Sequence, residues 1–261
     1  MANRFNTIII VGLVIIGGLI MRGAPDWYTY RLESERHVLG DLGELAVRLG
    51  SPVSHDRRGS VIWMYTGDQG QGFWDDTLAG TGADALITSE NPIYGSYTLR
   101  LVAGSDGAKG AQLFKNFAAP RRNVWGFAIN FAVITNYDVV SISINHYDGA
   151  KQHQARVRIY DADKTIRYRD AANVNQVIDT LTDLSEVYGT FHWLKLVADF
   201  ENDEYVRVMF DDQEYDLADI PIYTAASAEL AHVRVYVSIF GLDGENDVMI
   251  LDSAVFTIDE P

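Results

Sequence analysis

From about residue 85 onward, apolar and polar positions alternate with a period of two. Trp125, Phe127, Ile129, Phe131 and Val133 occupy alternate positions, as do Val140, Ile142 and Ile144. Such alternation sends every second side chain to one face and predicts half-buried strands. Strands are expected at 97–102, 111–117, 125–133, 140–144, 154–160, 165–169, 192–200, 205–210, 232–240 and 248–258, with earlier ones at 44–49 and 61–65. Turn chemistry separates them at Gly104-Ser105-Asp106-Gly107, Tyr147-Asp148-Gly149 and Glu201-Asn202-Asp203-Glu204. The stretch from Gly67 to Gly82 is rich in glycine and acids and reads as a loop. Only 174–188 carries helical spacing; it reads as a hairpin returning from 165–169 through Asp170-Ala171-Ala172-Asn173, followed by one short helix. Many short strands between turns predict an all-β fold, an antiparallel jelly-roll β-sandwich over 61–261.

The first 60 residues have a different pattern. An uncharged run from Thr7 to Met21 lies between Arg4 and Arg22, and carries Ile8, Ile9, Ile10, Val11, Leu13, Val14, Ile15, Ile16, Leu19 and Ile20. As a helix it reaches about 22 Å, short of the roughly 30 Å hydrocarbon core of a bilayer. Three readings stay open for this segment, 1–24: a membrane anchor through residues 5–21, an assembly strand buried in a neighbouring subunit, or a signal peptide. The last lacks an A-x-A cleavage site before Pro25. Residues 25–60 form a connector arm with Trp27, Tyr28 and Tyr30.

Composition sharpens this picture. The chain of 261 residues carries 36 acids against 21 bases, a formal charge of −15, which argues against binding nucleic acid. Nine acids between Asp199 and Asp219 face only Arg207 and read as solvated hairpin turns. The absence of cysteine removes thiol chemistry and Cys-ligated metals.

Alternation also assigns faces. With Ile142, Ile144, Val157, Ile159, Leu194, Leu196, Val206, Val208, Val235 and Val237 inward, the outward set is aromatic and basic. It comprises Tyr147, Arg156, Arg158, Tyr160, Trp193, Arg207, Arg234 and Tyr236, with Ser143, Asn145, Lys195 and Tyr205 among them. Such a face suits a glycan, through ring platforms and hydrogen-bond donors, or another copy of the chain. Tyr and Arg also suit exposed strand positions without any ligand.

No glycosidase-like carboxylate pair, nucleophile–base set, phosphate loop or dinucleotide fingerprint is legible, so no enzyme and no cofactor are expected. His146 and His153 flank one turn and are expected to meet across strands, without a third metal ligand. Asp68, Asp75, Asp76 and Asp252 are candidates for a calcium site without defined spacing, and no metal site is assigned.

Three stretches resemble the concanavalin-like and carbohydrate-binding-module jelly rolls. They are Gly72-Phe73-Trp74 with Gly80-Thr81-Gly82 and Gly95-Ser96-Tyr97-Thr98-Leu99; Trp193-Leu194-Lys195-Leu196-Val197-Ala198-Asp199-Phe200 with its following hairpin; and Val248-Met249-Ile250-Leu251-Asp252-Ser253-Ala254-Val255. The sequence departs from those modules at Met64-Tyr65-Thr66-Gly67-Asp68. Ala24-Pro25-Asp26-Trp27 and the stretch from Gly43 to Pro52 resemble uncharacterised phage and prophage virion proteins. Together these features lead to the expectation of a non-catalytic, self-associating surface or virion protein, attached through its hydrophobic segment to particle neighbours or a membrane. The alternatives are a glycan-binding adhesion domain and a membrane-anchored extracellular sandwich.

Overall fold

The computed structural model describes residues 56, 58–106, 109–118, 121–135, 137–181, 190–242, 244 and 246–261. The hydrophobic run 1–24, the connector, the strand expected at 44–49 and the short helix expected after residue 181 lie outside these residues. The described part is all-β, with 16 strands and two single 3-10 turns. The strands are β1 Ser60–Thr66, β2 Asp75–Leu78, β3 Asp84–Thr88, β4 Thr98–Val102, β5 Gly110–Ala118, β6 Val124–Val133, β7 Val139–Tyr147 and β8 Lys151–Tyr160. They continue with β9 Thr165–Arg169, β10 Asn175–Thr180, β11 His192–Asp199, β12 Glu204–Phe210, β13 Gln213–Asp216, β14 Tyr223–Ala226, β15 His232–Phe240 and β16 Val248–Ile258.

Two antiparallel sheets form the sandwich. The first runs β13-β12-β11-β6-β16-β4-β3, with β1 also on β16. The second runs β10-β9-β8-β7-β15-β5-β2, with β14 on β8. Their inner faces interleave: Phe127, Ile129, Leu194, Leu196, Met249 and Phe256 meet Ile142, Ile144, Val157, Ile159, Val235 and Val237 in one core. Every strand of seven or more residues was legible, and so were β4, β9 and β10 with five or six. β3, β13 and β14, with four or five residues each, were not expected. The 67–82 stretch holds two 3-10 turns and the exposed β2, more order than the loop expected there.

Bulges change which residues face inward. The β11–β12 register shifts at Val197/Ala198. That extra residue turns Tyr205 into the core, completely buried, and leaves Val206 only half-buried. Simple alternation had them the other way round. In β16 a shift between Leu251 and Ser253 coincides with the buried carboxylate of Asp252.

Candidate functional site

The outer face of the second sheet carries a groove of about 230 Å³, built on β5, β7, β8 and β15. Its geometry begins with a tight hairpin. Asp148 Oδ1 accepts from the amides of Ala150 (2.8 Å) and Lys151 (2.7 Å), and Gly149 takes a φ of +94°, which closes β7 onto β8. The resulting register sets Ser141 opposite Arg158, Ser143 opposite Arg156 and Asn145 opposite Gln154. On the other side of β7, β15 sets Ser238 opposite Ser141 and Tyr236 opposite Ser143, and β5 adds Gln112 opposite Ser238.

The cross-strand rows therefore read from aromatic or amide, through small hydroxyls, to guanidinium. Ser141, Ser143, Asn145 and Ser238 form a neutral, buried floor. Gln154 Nε2 donates to Asn145 Oδ1 (2.9 Å) and Gln112 Nε2 donates to Ser238 Oγ (3.0 Å), which fixes the amides along the floor. Tyr147 sits beside them with its phenol pushed up to about 12, mainly by burial.

Arg156, Arg158, Arg167 and Arg169 project from β8 and β9 on the same side, with Arg158 and Arg167 directly opposed. Like charges opposed across strands are destabilising. Arg167 is neutralised by Asp163 and lies over the Tyr160 ring at 4.4 Å. Arg156, Arg158 and Arg169 have only neutral partners among the described residues. Arg156 Nη2 donates to Asn175 Oδ1 (3.4 Å), and Arg158 Nη1 donates to the Tyr160 hydroxyl (3.3 Å). Arg169 donates to Gln154 Oε1 and lies 3.9 Å over the Tyr223 ring. The Nε of each of the three is buried without a hydrogen bond. Burial, and then the charges of Arg158 and Arg169, push the Arg156 guanidinium down to about 10. Tyr205 reaches across from the first sheet and holds this pair of strands in place. Its hydroxyl accepts from the Arg156 amide (3.0 Å) and donates to the Arg169 carbonyl (2.7 Å).

Of the face expected from sequence, Tyr147, Arg156, Arg158, Tyr160, Arg234 and Tyr236 come together on this sheet. Arg234 donates to the Tyr236 hydroxyl (3.0 Å) and to Glu229 (3.1 Å), on the rim of the groove. Trp193 and Arg207 do not belong with them. They lie on β11 and β12 of the first sheet, on the opposite outer surface. Alternation separates inward from outward positions but does not say to which sheet an outward residue belongs, and two outer faces were read as one. Trp193 is buried with Ala128 and Val255, against Met64 and Met209. Arg207 pairs with Glu260, and Lys195 with both Asp56 and Glu260 at 2.6 Å, in a buried ion cluster. Burial alone would raise the Asp56 carboxyl, but Lys195 and Arg58 hold it below its ordinary value. Gln112, Ser141, Ser238, Phe240 and Arg169 were missed. For Arg169 the signal was present in the alternation of Ile166, Arg167, Tyr168 and Arg169.

The remaining candidates lie elsewhere. His146 and His153 do pair across β7 and β8, with ring centroids 5.5 Å apart, at an end of the core. Asp68 and Asp252 each accept two amides from the 93–97 segment, whereas Asp75 and Asp76 are exposed on β2 of the other sheet. Among the described residues no group of three His, Asp or Glu side chains is placed to hold a metal ion. The acids of 199–219 occupy strand ends and turns, with Asp203, Asp211 and Asp219 at positive φ. The hydrophobic-segment residues Ile8 to Ile20 lie outside the described residues, and no described helix is long and apolar enough to cross a membrane.

No protein-family model and no curated protein matches the sequence. Solved structures do match. The chain is similar to an endo-β-1,4-glucuronan lyase from the fungus Trichoderma reesei (12% identity, TM-score 0.53, covering 76% of this chain and 96% of that one). It is similar to a carbohydrate esterase from the Shiga toxin-encoding bacteriophage phi24B (16% identity, TM-score 0.50, covering 77% and 100%). Lectin I-B4 of Griffonia simplicifolia also matches (11% identity, TM-score 0.48, covering 75% and 98%). The likenesses to the lyase and the esterase are of fold alone, and they agree with the jelly-roll β-sandwich expected from sequence. They also overturn the expectation that the chain is not an enzyme, because the same architecture carries a lyase and an esterase. The search for closely spaced motifs was the wrong test. A sheet-face site draws on Gln112, Ser143, Arg156 and Tyr236, which lie in four separate strands.

Proposed function

We propose that this chain recognises a glycan along the groove on the outer face of the second sheet. The observation that carries the reading is the groove's composition. A floor of serine hydroxyls and side-chain amides lies between Tyr147, Tyr236 and Phe240 on one side and guanidinium groups on the other. Sugars present hydroxyls that need hydrogen-bond partners and C–H faces that pack on rings, and the groove offers both within one register. The lyase and the esterase that share the fold are, by name, proteins that act on carbohydrates. The expectation of a structural, self-associating particle protein drew on residues 1–52, outside the described part, and on the aromatic, basic face, whose hydroxyl and amide floor fits a sugar better than a protein surface.

The test is retention of the full chain in gels cast with glucan, galactan, xylan or polygalacturonate. Wild-type protein is expected to be slowed by at least one of them. Ser143→Trp, which fills the groove from its floor, is expected to run freely with an unchanged circular dichroism spectrum. Equal retention of both proteins, or retention of neither, would count against the groove.

A further inference from the structure

We infer that the groove selects an acidic glycan, one bearing carboxylate or sulfate groups, through Arg156 and Arg158 with Arg169 behind them. The inference deepens the reading just given and rests on it. Its basis is an imbalance of charge. The chain carries 15 more acids than bases. Even so, among the described residues no carboxylate lies within ion-pair distance of these three guanidinium groups. Other guanidinium groups on the same sheet find acids: Arg167 pairs with Asp163 and Arg234 with Glu229. All three arginines are half-buried, and withdrawing a charge even partly from water without a counter-charge costs free energy.

The three arginines are also held, not left free to drift away from one another. Tyr205 bonds to the backbone of both Arg156 and Arg169, Arg169 stacks on Tyr223, and Arg158 is held by Tyr160. Arg156 and Arg158 stand two residues apart on one strand, about 7 Å along it. Both line the groove beside the serine floor. A guanidinium presents a planar fork that matches a carboxylate or sulfate in two parallel hydrogen bonds. An anionic group on a sugar seated on the floor would supply the counter-charge that the protein itself withholds. A nucleic acid would meet the same arginines; the neutral hydroxyl floor and the flanking rings favour a sugar, and DNA binding is an outcome of the test.

The test is calorimetric titration of the full chain at two salt concentrations. The probes are short oligomers of galacturonate, glucuronate and mannuronate, a sulfated galactan oligomer, the matching neutral oligomers and a single-stranded DNA decamer. At least one acidic oligomer is expected to bind roughly tenfold or more tightly than its neutral counterpart, with a margin that shrinks as salt rises. Arg156→Gln and Arg158→Gln are each expected to weaken binding of the acidic oligomer far more than that of the neutral one, so that the margin between them closes. Arg156→Lys keeps the charge and loses the fork, and is expected to fall between. Preference for uronates or for the sulfated oligomer would identify which anion the groove takes, and either supports the inference. Equal affinity for neutral and acidic oligomers would overturn it and leave the groove reading intact. Binding to none would overturn both. Binding to DNA as tight as to the acidic sugar, or an acid preference unaffected by the arginine variants, would also overturn it.

Discussion

At the scale of single residues, several buried polar groups have consequences that can be measured. His146 is buried against Trp125 and Phe200. Burial, followed by the charge of Arg122 and the neighbouring His153 ring, pushes its imidazole down to about 4. The unfolded chain therefore takes up a proton near pH 6.5 that the folded chain refuses until near pH 4. The stability linked to this group is complete above pH 6.5 and is lost as pH falls toward 4, by about 3 kcal/mol at most. Melting temperature is expected to fall between pH 6.5 and 4.5 in the wild type, and to fall less in His146→Phe. A parallel decline in both proteins would contradict this. Tyr205→Phe removes a hydroxyl that satisfies the Arg156 amide and the Arg169 carbonyl. Leaving those buried groups unpaired is expected to cost about 1–3 kcal/mol in urea unfolding and to weaken glycan retention as well, because β8 and β9 lose their shared anchor.

At the scale of elements, legibility followed strand length. The bounds of β15 and β16 match the sequence reading, since nine and eleven residues leave little ambiguity in alternation. The hairpin of β9 and β10 was legible from its Asp170 to Asn173 turn. Short, exposed β13 and β14 gave no apolar signal, and the bulge at Tyr205 reversed the faces locally because one inserted residue changes the parity of everything before it. The site was half legible for a related reason. Inward and outward follow from parity, but the partition of Tyr236 and Trp193 between two sheets depends on pairings distant in sequence. The separation yields a prediction. Trp193→Ala removes a buried ring from the first sheet and is expected to cost about 3 kcal/mol in chemical denaturation while leaving glycan retention unchanged. Lys195→Ala removes the buried cation shared by Asp56 and Glu260, leaving them only Arg58 and Arg207, and is expected to cost about 3 kcal/mol with the same indifference of the groove. Loss of binding in either variant at a temperature where it stays folded would show that the faces are not independent.

At the scale of the whole molecule, the two outer surfaces of the sandwich differ in how their charged side chains are paired. On the first sheet, charged side chains are paired and buried: Lys195, Arg207, Asp56 and Glu260 neutralise one another. On the second, three arginines stay without acids beside a neutral hydroxyl floor. The first surface carries its own counter-charges, whereas on the second they would come from the proposed glycan. The contrast stands out because the chain as a whole is so acidic. Backbone amide spectra of the full chain, recorded during titration with an oligosaccharide that the gels identify, locate that ligand most directly. Shifts confined to Ser141, Ser143, Asn145, Arg156, Arg158, Tyr236 and their strand neighbours are the predicted result. Shifts centred on Trp193 and Arg207, or on the loops at the ends of the sandwich, would contradict the assignment of the groove.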